Sequence, residues 1–212
     1  MEKGCRVMSI YEFEKKIPKI AKTSYIHPQA AIIGNVEIAD DCFVGAGAVL
    51  RGDFGKIVIG RGTSIRENSV VHVGEEGVVS IGDNVIIAHG AILHDTTIKS
   101  YVLVGMGSIL MAGVFCEDHV MIGAGSIVKE NFHIPANVVV AGNPARIVKP
   151  FSDDQRRRIH QGVKTYNDLV KRYIKSKGND SVDQGPFCQT ALGRERGRQA
   201  GTPQTSNLET TF

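Results

Sequence analysis

The chain has 212 residues, with 25 Lys and Arg against 22 Asp and Glu, a formal net charge of +3, 42% hydrophobic residues and no Trp. So small a net charge argues against a nucleic-acid-binding chain, and no apolar run is long enough for a membrane span or a secretory signal. Four scattered Cys without metal-like or disulfide-like spacing argue against a disulfide-stapled domain.

Residues 1–22 read as a lead-in. Met1 to Met8 resembles a leader ahead of the fold, with Met8 as an alternative start, and Tyr11 to Lys22 is placed to cap the open end of the domain that begins at residue 23.

From residue 23 to 150 the chain carries a six-residue apolar period. Large aliphatics recur at Ile26, Ile32, Ile38, Val44 and Leu50, resume at Ile59, Ile65 and Val71, then at Ile81, Ile87 and Leu93, and continue from Ile98 to Val140. This period fits neither an amphipathic helix nor simple strand alternation, and a short fixed period marks a solenoid. The expectation is an all-β domain, a parallel β-helix of hexapeptides. Three short strands and three corners make a coil of about 18 residues, and equivalent side chains stack roughly 4.8 Å apart along the axis. Cys42 and Cys116 fall at interior positions and read as buried thiols in a reducing cytoplasm. Paired glycines such as Gly105 and Gly107 recur with the repeat and read as corners rather than as a phosphate loop.

The repeat stops at Pro150, and SDDQ at Ser152 to Gln155 is a capping box with Asp153 and Asp154 complementing a helix N-terminus. Ile159, Val163, Tyr166, Val170 and Tyr173 then recur at helical spacing, so a C-terminal α-helix over residues 153–176, within a segment 151–178, is expected to pack on the β-helix. That segment holds eight basic and three acidic residues, read as a solvated face, with phosphate groups of an acyl-CoA as another use for it. Residues 179–212 are polar and aperiodic, the composition of a disordered tail.

Three histidines stand in special registers. His72 and His94 each follow an aliphatic position, Val71 and Leu93, and are 22 residues apart: one coil plus the four extra residues between Val73 and Ser80. They belong on one edge, one coil apart, a separation that suits two ligands of one metal. His89 stands two after Ile87, at the preceding corner, where a rigid prism cannot bring it round to the others. A threefold homotrimer would set one subunit's His89 against the His72/His94 edge of the next. Three imidazoles with an open fourth position are the pattern of a catalytic zinc, and Fe2+ or Co2+ also suit them. His27, His119, His133 and His160 show no such register and read as structural.

The segments RGD at Arg51 to Asp53, AHGAILHD at Ala88 to Asp95, VGMGS at Val104 to Ser108, IGAGSIV at Ile122 to Val128 and VAGNPARIV at Val140 to Val148 resemble the γ-class carbonic anhydrase family over residues 20–150. RGDFGKIVI and the helical HQGVKTYNDLV are most similar to its phenylacetate-degradation and carnitine-operon accessory proteins. The resemblance implies a left-handed β-helix, a homotrimer, and a metal held by His72, His89 and His94 across subunits. It implies that Arg51 and Asp53 link subunits and order the site, and that Tyr166 comes near the metal, although packing of the helix is its competing role. Two departures stand out: Arg66 replaces a common Gln, and Phe54 replaces a Glu linked to proton transfer. Arg66 would hold bicarbonate or another carboxylate, and Glu75 and Glu76 become the candidate proton shuttle. The implied activity is reversible hydration of CO2. Acyl-CoA thioester hydrolysis at the same site, a hexapeptide acyltransferase and a non-catalytic metal-binding assembly protein are the alternatives.

Overall fold

A computed structural model describes residues 9–176, and both Cys5 and Cys188, like the polar tail, lie outside them. Among the described residues the strands form two sheets, one of 12 strands and one of 8, and a single α-helix, Asp153–Ser176, comes after them. Every pairing within the stack is parallel, with each strand bonded to its equivalent in the coils before and after. The architecture is therefore a parallel β-solenoid of about seven turns.

The larger sheet wraps two faces of the prism. Strands Ala31–Ile38 and Val49–Ile59 run through the corner between those faces and pair along both, with a register shift between Gly34 and Val36. Inside, the six-residue aliphatics form ladders: Leu50 pairs with Val71, Val71 with Leu93, Leu93 with Leu110 and Leu110 with Val128, all fully buried. Each such side chain is worth roughly 1.5–3 kcal/mol, so repetition builds a continuous core without aromatic bulk.

Buried hydroxyls staple one coil to the next. Thr63 Oγ1 donates to the Gly82 carbonyl at 2.7 Å and accepts from the Val85 amide at 3.0 Å, and Ser69 Oγ donates to the Ala88 carbonyl at 2.9 Å. Corners turn through left-handed residues, mostly Gly, Asn and Asp; Gly90, with φ of +68°, makes the turn just after His89.

The lead-in is part of the solenoid. Ser9–Tyr11 and Lys19–Ile20 pair in parallel with Ala31–Ile38, so the first coil begins ahead of residue 23, and Ile10 and Ile20 pack against the core. At the other end Val138–Gly142 folds back antiparallel on Ala145–Pro150. The Ser152 amide donates to Gln155 Oε1 at 2.8 Å, and the Gln155 amide to Ser152 Oγ at 3.3 Å, the reciprocal box that starts the helix.

The helix lies over the 8-stranded face. Ile159 and Val163 pack with Ile86, Leu103 and Met121, while Val170 packs with Tyr25 and Phe43. It approaches closely because Gly162 has no side chain: a Cβ there would stand 2.8 Å from Ile86 Cδ1.

Candidate metal-binding site

Two clusters of functional side chains form on separate edges. On the first, the register stacks Arg51 on His72 and His72 on His94. His72 ends strand Val70–His72 and His94 ends strand Ile92–His94, and their rings lie 5.0 Å apart, as the 22-residue spacing predicts. The extra residues between Val73 and Ser80 swell outward against the long strand Val49–Ile59, so the edge keeps its register despite them.

Arg51 Nη1 bonds Asp53 Oδ2 at 2.5 Å within the same chain. Burial works to raise the Asp53 carboxyl, but the Arg51 bond and the Phe54 amide outweigh it and hold it below the ordinary carboxylate range. Its other oxygen lies 3.7 Å from His72 Nε2, too far for a hydrogen bond. His72 Nε2 is buried and has no hydrogen-bond partner. Burial, with Arg51 and His94 nearby, pulls His72 below its usual value and keeps the imidazole neutral, the form that binds metals. His94 Nδ1 lies 3.0 Å from Asp95 Oδ2, which leaves its Nε2 as the free lone pair.

Asp95 adds a second restraint. Its Oδ1 accepts the Gly74 amide at 2.9 Å and its own amide donates to the His72 carbonyl at 3.3 Å, so one residue ties His72, His94 and the loop after His72 together. Glu75 and Glu76 stand exposed in that loop, and their side chains bond neither histidine. Phe54, 57% exposed, turns its ring edge-on toward His72 with centroids 6.3 Å apart.

The second edge carries His89. One coil below it sits Glu67, with Oε2 at 2.7 Å from His89 Nδ1 but out of line for a hydrogen bond. The next residue back, Arg66, lays its guanidinium over the Tyr166 ring at 4.1 Å, and that ring meets Phe43 edge-on at 5.1 Å. Tyr166 thus packs the helix down and also braces Arg66. Burial raises the Tyr166 hydroxyl and lowers the Arg66 guanidinium from their ordinary values.

The structure therefore brings Arg51, Asp53, His72 and His94 together and sets Arg66 on Tyr166, while His89 meets Glu67, and Glu75 and Glu76 stand apart from both groups. Among the described residues of one chain, no three His, Cys, Asp or Glu converge as a metal cage. The donor set suits a divalent metal all the same: His72 offers a buried, unpartnered Nε2, and carboxylates beside Nδ1 of His94 and His89 leave Nε2 of each available. Sequence reading missed the roles of Glu67 and Asp95. Glu67 had a signal, since it precedes His89 by the same 22 residues that separate His72 from His94.

Fold and edges together define a hexapeptide solenoid with imidazole-bearing corners. The bacterial transferase hexapeptide model (six repeats) matches residues 18–52. The chain is 36% identical over 84% of its length to gamma carbonic anhydrase 2, mitochondrial, of Arabidopsis thaliana, of which it spans 65%. It is 37% identical over 78% of its length to the carnitine operon protein CaiE of Escherichia coli O157:H7, covering 84% of that protein. A hexapeptide transferase family protein from Anaplasma phagocytophilum superposes with a TM-score of 0.76 at 32% identity, over 78% of this chain and 98% of that one. The chain belongs to the hexapeptide-repeat family that holds the gamma carbonic anhydrases and CaiE.

Proposed function

We propose that this chain is a metalloenzyme of the γ-carbonic anhydrase type, working as a homotrimer in which His72 and His94 of one subunit and His89 of the next hold a zinc, with Fe2+ and Co2+ as other occupants. The observation that carries this reading is the buried, unpartnered His72 Nε2 beside the His94 ring, with His89 held on the other edge. A metal bound there supplies Lewis acidity and a water acidified to a pKa of about 7, the nucleophile for hydration of CO2 to bicarbonate.

The chain's own residues do the rest. Asp53, fixed by Arg51, lies beside His72 and holds its carboxylate charge toward the reacting edge. Arg66, braced by Tyr166, presents a cation for the anionic product. The exposed Glu75 and Glu76 pass the proton to solvent.

Hydrolysis of an acyl-CoA thioester with the same activated water is the second reading, and Phe54 favours it. An exposed phenyl beside His72 offers an apolar wall to an acyl chain and no proton acceptor. Cys42 and Cys116 are free thiols, which suits a reducing compartment such as the cytoplasm, while the plant relative is mitochondrial. Among the described residues no helix is long and apolar enough to cross a membrane.

The test is metal content of the anaerobically purified protein, with stopped-flow CO2 hydration and thiol release from short acyl-CoA esters measured on the same sample. One metal per subunit with CO2 hydration is the expected result. Metal with thioester cleavage alone selects the second reading, and metal-free protein defeats both, leaving an acyltransferase or an assembly protein.

A further inference from the structure

We propose that the groove between Arg66 and the first half of the helix is a binding site for a doubly charged oxyanion of the phosphate-ester class. The groove measures about 480 Å3 and is lined by Arg66, Arg157, Arg158, Gln161, Thr165 and Tyr166, with no Asp or Glu in its wall. Among the described residues no carboxylate forms an ion pair with Arg66 or Arg158, while Arg157 is paired with Asp154. Three guanidiniums line the groove, against Asp154 paired with Arg157 and the Glu67 carboxylate acting on Arg66, so a net positive charge remains to attract a phosphate monoester near neutral pH.

Arg66 is the fixed element. Its plane is held against the Tyr166 ring, and its Nε is buried with no acceptor, so the side chain is already ordered. An immobilised guanidinium gives up little freedom on binding, and its fork matches phosphate oxygens. Arg158 and Arg157 lie on the helix across the groove and close on the anion from the other side. The occupant is a small molecule rather than a nucleic acid, because the one aromatic ring in the groove is covered by Arg66 and cannot stack on a base. Glu67, next to Arg66, contacts His89, so the ligand lies one residue from the edge that carries the third histidine.

Isothermal titration of the full-length protein at low salt, with phenyl phosphate and benzoate as probes, tests this. Phenyl phosphate should bind at least about tenfold more tightly than benzoate, and the double variant Arg157→Ala/Arg158→Ala should weaken it by about tenfold or more with helix content and metal content unchanged. The control Arg172→Ala/Lys175→Ala removes two charges from the same helix outside the groove and should leave phenyl phosphate binding as it was. Equal weakening in the control, or phenyl phosphate binding that survives the Arg157/Arg158 change, overturns the site. Benzoate binding as well as phenyl phosphate overturns the phosphate class. Metal content, read on every variant, separates these outcomes from failure of the metal site.

Discussion

Asp95 adopts a left-handed conformation with φ of +47°, and its carboxylate accepts the Gly74 amide and lies 3.0 Å from Nδ1 of His94. Asp95→Gly removes one charge-assisted bond, worth roughly 1.5–3 kcal/mol. Relief of the left-handed backbone returns about 1 kcal/mol, so the fold should lose no more than about 2 kcal/mol. The larger effect falls on the histidine. Without a carboxylate at Nδ1, the ring of His94 is free to rotate and to change tautomer, and loss of such an outer partner costs about 10–100-fold in metal affinity. Chelator competition on the purified protein measures that affinity, and hydrogen exchange of the segment 73–80 reports whether the loop has been released. Affinity within about twofold of the parent, together with unchanged protection of the Gly74 amide, would refute the reasoning.

Three other outcomes rest on the packing. Thr63→Val removes both bonds of a fully buried hydroxyl and orphans the Val85 amide and the Gly82 carbonyl, so unfolding in denaturant should show a loss of roughly 2–5 kcal/mol; a loss under about 1 kcal/mol means that the hydroxyl staples are not needed between coils. Burial pushes the Cys42 thiol up to about 11, and that of Cys116 is raised further, so alkylation near neutral pH should label neither peptide until the protein is unfolded. His119 is held below its ordinary 6.5 by burial, Arg156 and His160, with Asp118 opposing, and it stacks on Tyr101 at 5.3 Å. Above 6.5 both folded and unfolded chains carry it neutral and it contributes nothing to pH dependence. As pH falls below 6.5 the unfolded chain takes the proton first, and stability declines until the folded form also protonates. The thermal midpoint should therefore fall in that window, and His119→Asn, whose side chain tolerates the φ of +58°, should flatten the decline; an unchanged slope excludes His119 as its source.

Most of the interior of the solenoid was legible because one period placed the main aliphatic ladders from Ile26 to Val140, and the insertion after His72 was visible as a broken step; the buried ladder pair Ile57 and Val79 falls outside that period. The first coil was not, because Ile10 and Ile20 are ten residues apart and the turn between Phe13 and Lys16 hides their relation. The face under the helix left a trace that periodicity alone passed over: Tyr25, Phe43, Ile86, Leu103 and Met121, each just before an interior aliphatic, are apolar on what would otherwise be a wet surface. In the candidate site, His72 and His94 could be paired from spacing because their partners are whole coils away. The contacts of Asp95 and Glu67 depend on loop shape and rotamer, which spacing does not encode, and the exposed carboxylates Glu75 and Glu76 gained no partner from the fold.

The central claim, that the metal site is completed between subunits, is tested most directly by mixing His89→Ala and His94→Ala subunits. Neither variant alone should hold metal at the site. In a mixed trimer one His72/His94 edge meets one intact His89, so about one metal per mixed trimer should return, with activity in proportion. Metal retained by the His89→Ala protein alone, or mixed trimers that stay metal-free, would contradict the account.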